Sequence, residues 1–133
     1  MMKPLRSSLC LLAASIFAAT AAAQTTGRGT PPVPVTVGGD GIVDACSLGL
    51  IIGLDDPAVR TGPGTRFRAV DTRKNGQKVN VCGERGSWYA VVYHPSGEPE
   101  NCGVSTPLPK RQIYRGPCRS GWIDSNTVDV LTD

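Results

Sequence analysis

Short apolar runs separated by turn-forming residues recur along the chain from Cys46 to its last residues. Runs of this length between glycine, proline and asparagine positions are typical of a small β-barrel or sandwich. The predicted strand regions lie at residues 48–54, 68–72, 79–81, 87–93, 121–124 and 127–131. No stretch of the sequence has the 3.6-residue periodicity of an amphipathic helix, so the pattern predicts an all-β domain.

The strand region at residues 87–93 is apolar at both of its alternating sets of positions. One set contains Trp88 and the other contains Tyr93. A strand that is apolar on both faces is central in its sheet, or it lines a groove with its second face. Because both side chains combine a large apolar area with a polar atom, we treat Trp88 and Tyr93 as candidate groove residues.

The first 23 residues have the three parts of a secretory signal peptide in the usual order. Lys3 and Arg6 precede an apolar run at residues 9–19, and Ala21-Ala22-Ala23 precedes Gln24. This predicts cleavage after Ala23 and a periplasmic or secreted protein, with no membrane insertion. Loss of Lys3 and Arg6 from 14 basic residues leaves 12, against 11 acidic residues, so charge does not support nucleic-acid binding.

Residues 24–45 are rich in threonine, glycine and proline, with prolines at positions 31, 32 and 34. Proline lacks a backbone donor and glycine loses much entropy when ordered. This composition therefore predicts a flexible spacer ahead of a barrel domain at residues 46–133. A proline-rich ligand for another domain is the alternative interpretation.

Four cysteines remain after signal cleavage, at positions 46, 82, 102 and 118. In a small exported chain they indicate two disulfides, for which three pairings are possible. We favour Cys102–Cys118, which closes a local loop, together with Cys46–Cys82. The spacings of 36, 20 and 16 residues lack the two close pairs of a zinc site, so we expect no metal.

A series of motifs resembles the bacterial SH3-like domains. The segment Ala58-Val59-Arg60-Thr61-Gly62-Pro63-Gly64 is similar to the family's N-V-R-S-G-P-G signature. It is followed in the family's order by Lys74-Asn75-Gly76, Val79-x-Val81, Trp88-Tyr89-x-Val91 and Gly121-Trp122-Ile123, so that the resemblance covers about residues 50–131. The resemblance implies a small barrel of about five strands, with Tyr89 and Val91 pointing inward and Trp88 on the opposite face. Members usually bind peptides, peptidoglycan or envelope proteins.

The chain departs from the family pattern in a long insertion at residues 94–120, where a short hairpin is usual. A loop of this length in a small domain is usually functional or disordered, and an internal disulfide favours order. Several basic residues surround Tyr114 in the insertion. These residues either bind carboxylates of a ligand or simply keep the loop soluble. The candidate ligand-binding residues are Trp88, Tyr93, Tyr114, Trp122, Arg60, Arg111 and Arg115.

Catalytic chemistry has little support in this sequence. The single histidine, His94, lies in the insertion, and all four mature cysteines are expected to be oxidised. A serine or cysteine nucleophile would need a nearby base. The paired carboxylates Asp55-Asp56 and Glu98/Glu100 lie in turn-like segments, where such groups usually face water. We expect neither enzyme activity nor a cofactor.

Two functions remain after these exclusions. The first is an exported binding module of the bacterial cell envelope, which recognises cell-wall peptide or a protein partner through an aromatic groove. The second is an inhibitor or immunity-type protein that blocks an envelope hydrolase with its disulfide-closed loop. A loop that is already rigid loses less entropy when it binds.

Overall fold

The computed structural model describes residues 29–39, 45–98 and 101–131, together with the isolated positions 2, 4 and 15. Cleavage after Ala23 and most of the predicted signal peptide lie outside the described residues. The described part contains nine strands and one short 3-10 helix, and no α-helix. The prediction of an all-β protein is confirmed. No helix in this part is long and apolar enough to cross a bilayer.

The described residues form ten elements in chain order. They are β1 (Thr36–Val37), β2 (Ser47–Ile51), β3 (Ala58–Arg60), β4 (Ala69–Thr72), β5 (Lys78–Arg85), β6 (Trp88–Tyr93), β7 (Gln112–Ile113), β8 (Arg119–Asp124), the 3-10 helix Ser125–Thr127 and β9 (Val128–Val130). Seven strands form one antiparallel sheet in the order β4-β3-β8-β6-β5-β2-β9, and β1 pairs with β7 in a second sheet.

The last two strands of the chain make the large sheet curl into a barrel. β8 pairs with β6 and β3, whereas β9, which follows it almost directly, pairs with β2 at the other end of the strand order. Asp124 shapes the turn between them: its carboxylate accepts from the Asn126 backbone N at 2.9 Å, and its carbonyl accepts from the Thr127 hydroxyl at 2.7 Å. The turn between β8 and β9 is short, but the two strands pair at distant positions in the strand order. The sheet must therefore bend around its own core.

Two hydrophobic cores lie on the two faces of β6 and β8. The inner core fills the barrel with Ile51, Val59, Val79, Val91, Tyr93, Ile123 and Val128. The outer core contains Val35, Val37, Ala90, Val92, Cys102, Val104 and Trp122. Tyr89 packs against the inner core and Trp88 against the outer one, as the family resemblance implied. The two-sided apolar pattern of residues 87–93 therefore marks a central strand, which is covered on both faces.

Residues 31–39 differ from the predicted flexible spacer, because they pack against the barrel and form the cover of the outer core. Val35 and Val37 are buried, and β1 pairs with β7 of the insertion. The Val33 backbone N donates to the Thr61 carbonyl at 2.9 Å. Alternate residues are valines that face the core, while Pro32 and Pro34 between them are exposed, where a missing donor does no harm.

The insertion leaves the barrel after Tyr93 and rejoins it at Arg119, so its last two predicted residues already belong to β8. The disulfides Cys46–Cys82 and Cys102–Cys118 are both present, which confirms the favoured pairing. The first joins the residue before β2 to β5, and the second closes a loop within the insertion. The barrel and the insertion therefore each contain their own covalent link.

Candidate functional site

A polar cluster fixes the two ends of the insertion to the barrel. Asp71 of β4 accepts hydrogen bonds from the Tyr93 hydroxyl at 2.9 Å and from Arg119 Nη1 at 3.1 Å. Arg73, which is 5% exposed, lies with its guanidinium carbon 4.5 Å from the centre of the Tyr93 ring. Its Nη1 donates to the His94 carbonyl at 3.3 Å. The insertion thus starts and ends at positions that barrel side chains hold in place.

Burial and hydrogen bonding set the ionisation of this cluster. Burial raises the pKa of Tyr93, and the bond to Asp71 raises it further, so the hydroxyl stays protonated and donates. Burial also raises the pKa of Asp71, but the bonds from the Thr72 backbone, Tyr93 and Arg119 and the nearby charge of Arg73 together outweigh it. The pKa of Asp71 therefore lies below its usual 3.8, and the group is a carboxylate at neutral pH.

Asp71→Asn should lower the free energy of unfolding at neutral pH by about 1 kcal/mol, because the amide keeps one acceptor oxygen but loses the charge that strengthens these hydrogen bonds. Since folding lowers the pKa of Asp71, its ionised form stabilises the fold above about pH 3.8. This contribution disappears as the pH falls through the folded-state pKa. Urea unfolding at about pH 7, 4 and 2 should show the difference between wild type and variant shrinking. An unchanged difference at all three values would contradict this.

Two of the aromatic candidate residues are buried in the cores. Tyr93 is 1% exposed in the inner core and Trp122 is 4% exposed in the outer core, so neither presents a surface to a ligand. The Trp122 indole N–H donates to the Val33 carbonyl at 2.8 Å, which places it beneath residues 31–39. Trp88, half-buried beside the outer core, lies on the face of β6 opposite Tyr93 because alternate residues of a strand point to opposite sides.

Arg60, another candidate ligand residue, supports a turn of the barrel. Its Nη1 donates to the Phe67 carbonyl at 2.9 Å and to the Thr65 carbonyl at 3.3 Å. The Phe67 ring packs directly on Gly62, where any side chain would collide with it. The family motif that includes Arg60 and Gly62 is therefore a structural feature of this turn, and it leaves the guanidinium with two carbonyl partners.

An open cleft of about 420 Å³ lies between the insertion and β1. It brings together two of the candidate residues, Tyr114 and Arg115. Its apolar wall is formed by residues that the sequence analysis did not select, namely Val37, Leu108, Ile113 and Pro117. Ile113 had one recognisable signal in the sequence, since it is an apolar residue inside a basic stretch. Val37 had none, because its position depends on the pairing of β1 with a distant segment.

Hydrogen bonds and the second disulfide order the floor of this cleft. The Tyr114 hydroxyl donates to the Cys102 carbonyl at 2.8 Å and accepts from the Cys118 backbone N at 3.1 Å. A Cβ atom at Gly116 would lie 2.5 Å from the Tyr114 hydroxyl oxygen, so this close packing requires glycine. The hydroxyl of Tyr114 is engaged within the insertion, and its ring contributes to the cleft.

Arg115 lines the cleft, and Lys110 and Arg111 directly precede its lining residue Gln112; these three cations are called the rim. Lys110, Arg111 and Arg115 are exposed, and none forms an ion pair with any residue in the described ranges. Arg111 Nη2 donates to the Thr36 hydroxyl at 3.1 Å, which ties the rim to β1. Arg119 differs from these three because it pairs with Asp71. The sequence contains no acidic residue from position 101 to position 123, so the charge of the rim is not balanced locally.

A smaller cleft of about 220 Å³ lies on the other side of residues 32–35. Its lining consists of apolar and small polar residues, with no charged side chain. This smaller cleft could therefore recognise a ligand by its shape but not by its charge. Among the described residues no group of three metal-binding side chains occurs.

The family model for the bacterial SH3 domain matches residues 55–129, which is more than half of the chain. The chain belongs to the bacterial SH3 domain family. This confirms the resemblance found in the sequence. The match includes the insertion, whereas β1 and β2 precede it, so the cleft wall at Val37 lies outside the matched residues. Neither the curated proteins nor the solved structures contain a significant match to the chain. As a bacterial SH3 domain the chain is a binding module, of a kind often related to the cell wall.

Proposed function

We propose that the protein is an exported, non-catalytic binding module of the cell envelope, and that the insertion cleft is its contact surface. The observation that carries this proposal is an open cleft with apolar walls and a rim of cations without ion-pair partners among the described residues. Two disulfides and the bacterial SH3 domain fit a location outside the cytoplasm, where thiols are oxidised.

The covered outer face supports the choice of this cleft over an aromatic groove. Residues 33–37 cover the buried side chains of Trp122 and Val92. A ligand could reach these side chains only after residues 33–37 had been displaced. The insertion cleft needs no such rearrangement. Its walls are held by the Cys102–Cys118 disulfide and by the pairing of β1 with β7. A preformed site binds with a smaller loss of conformational entropy.

The basic rim favours a ligand that carries carboxylates. Cell-wall stem peptides and acidic segments of envelope proteins both provide them, and both are included in the proposal. Arginine and a carboxylate form short, charge-assisted hydrogen bonds, which add geometric specificity. Apolar walls beside the rim add contact area that charge alone does not provide.

An inhibitor or immunity-type function is the second candidate, and the order of the loop supports it. The Cys102–Cys118 segment is closed by a disulfide and bridged internally by Tyr114, so its conformation is restrained. Such a loop suits insertion into the site of an envelope hydrolase. Addition of the protein to a panel of envelope lysozymes, amidases and proteases should then reduce the activity of one of them. A panel without any loss of activity would count against this second candidate.

Arg115→Glu should reduce retention of the protein on peptidoglycan sacculi, or its crosslinking to one envelope protein, by about tenfold. The reason is that the substitution replaces an attractive charge at the cleft with a repulsive one. Retention and crosslinking are measured with residues 24–133 by quantitative immunoblotting. Arg68→Glu is the matched control, since Arg68 is also exposed but lies outside the cleft. The Trp88→Ala variant, which truncates a residue of the predicted aromatic groove, is tested in the same assay.

Equal losses in the Arg115 and Arg68 variants would indicate general electrostatic attraction and contradict a site at the cleft. Loss in Trp88→Ala alone, with the fold retained, would return the contact surface to the outer face of β6. Retention on sacculi would identify cell-wall peptide as the ligand, whereas crosslinking to one protein would identify a protein partner. Absence of both would overturn the binding-module proposal for the envelope.

A further inference from the structure

We propose that the cleft takes an extended, acidic peptide segment, which adds as a third strand to the free edge of β7. This inference rests on the proposed function and names the chemistry and the binding mode of its ligand. Three observations carry it: the free edge of β7, the apolar space beside that edge, and the charge of the rim.

The pairing of β1 with β7 leaves one residue of β7 with free backbone groups. Thr36 lies opposite Ile113 and Val37 opposite Gln112, while the Tyr114 backbone N donates to the Val35 carbonyl at 2.9 Å. In an antiparallel pair, hydrogen-bonded and non-hydrogen-bonded positions alternate. Since the Tyr114–Val35 position is hydrogen-bonded, the next position, Ile113, directs its N–H and C=O away from β1.

Within its sheet Ile113 is opposite only Thr36, at a non-hydrogen-bonded position, and outside the sheet neither backbone group has a backbone partner among the described residues. Ile113 is itself 44% exposed. Unpaired groups on a strand edge are a template for pairing with an extended segment. Addition of a peptide strand would satisfy both groups and cover the exposed side chain, as occurs when domains bind peptides by strand addition.

The cleft provides space for the side chains of such a strand. Gln112 and Ile113 form part of its lining, together with the apolar atoms of Val37, Leu108 and Pro117. Alternate side chains of a strand point to opposite sides, so every second residue of the peptide would point toward the cleft. An apolar residue at that position is the best match to these walls.

The charge of the rim determines the remaining positions of the peptide. Lys110 and Arg111 immediately precede β7. Arg115 follows β7 and is separated from it only by Tyr114. Within the described residues these three cations have no carboxylate partner. A strand paired along β7 would run between them, so glutamate or aspartate at its outer positions would find a cation at either end. The predicted ligand therefore alternates acidic and apolar residues.

The test uses a fluorescein-labelled hexapeptide of alternating glutamate and valine, with the whole mature protein. Fluorescence anisotropy should show saturable binding that is at least about tenfold weaker for the lysine–valine peptide and for the Arg115→Glu protein. Arg68→Glu should bind like wild type. Methylation of the peptide's central backbone nitrogens should also weaken binding about tenfold, because strand addition needs those donors. Hydrogen exchange should show the Ile113 amide becoming protected when peptide is bound.

Three results would overturn the inference: no saturable binding of the acidic peptide, equal binding of the lysine peptide, or full binding of the methylated peptide without protection of Ile113. Failure of the inference is distinguishable from failure of the proposed function. Capture by sacculi or an envelope protein that still depends on Arg115 would preserve the function and remove only strand addition. Loss of both the hexapeptide binding and the capture would remove the function as well.

Discussion

Trp122→Ala should lower the free energy of unfolding by about 3–5 kcal/mol, as expected when a buried large aromatic side chain is truncated. Trp122 belongs to the outer core together with Val35, Val37 and Val92. Its indole N–H donates to the Val33 carbonyl at 2.8 Å, so the substitution removes packing and a hydrogen bond together. Because a small domain has only about 5–15 kcal/mol of stability, much of the population would unfold on mild heating.

Two variants separate packing from hydrogen bonding in this prediction. Trp122→Phe keeps an aromatic ring but removes the donor, and should lower stability by about 1–3 kcal/mol because the Val33 carbonyl loses its partner. Trp88→Ala is the positional control, since Trp88 is only half-buried and should lower stability less than Trp122→Ala. Urea unfolding followed by circular dichroism measures all three. If Trp122→Ala were as stable as wild type but failed to bind a ligand, Trp122 would be a contact residue, as the sequence first suggested.

The second large effect is expected when the disulfide of the insertion is removed. The double substitution of Cys102 and Cys118 by alanine should lower the free energy of unfolding by about 3 kcal/mol, as for a closed loop of similar length. The structural change caused by removing this disulfide should be confined to the insertion. The Tyr114 hydroxyl would no longer have its two partners at fixed positions, and the cleft would lose its floor. Capture of the envelope ligand should therefore disappear.

Removal of the Cys46–Cys82 disulfide is the matched comparison. The sequence separation of 36 residues gives an expected loss of about 4 kcal/mol in the free energy of unfolding. This is at least as large as the loss expected for Cys102–Cys118. Yet the Cys46–Cys82 link joins segments already paired in the barrel, where Ser47 lies opposite Val81, so the cleft should survive and ligand capture should persist under folding conditions. Hydrogen exchange at the Tyr114 amide reports on the insertion separately from the barrel. Equal loss of capture in both double variants would show that the cleft depends only on overall stability.

Much of the barrel was predictable because its signals are local. Alternating or two-sided apolar runs located the regions of β2, β4, β5, β6, β8 and β9 close to their observed positions. The cysteine pairing was also correct, since a local loop and one barrel link were the simplest combination. The two apolar faces of β6 predicted either a central strand or a groove, and the structure shows the central strand.

The candidate site was predicted only in part. Tyr114 and Arg115 do line the cleft, since an aromatic residue among cations in a disulfide-closed insertion is visible in the sequence. Tyr93 and Trp122 were assigned to a groove because aromatic type alone does not distinguish a ligand contact from a core position. Burial distinguishes them, and burial depends on what lies above each strand.

By itself, the amino-acid sequence determined the all-β fold class and the family and favoured the observed disulfide pairing among three, because each depends on short-range patterns or on the few cysteines present. Only the tertiary structure showed that residues 31–39 cover Trp122 and that β1 pairs with β7. These contacts join segments more than 70 positions apart in the chain, and such pairings leave no local period in the sequence. The cleft exists because of that pairing, and its unpaired strand edge could be recognised only after the register of the two strands was known.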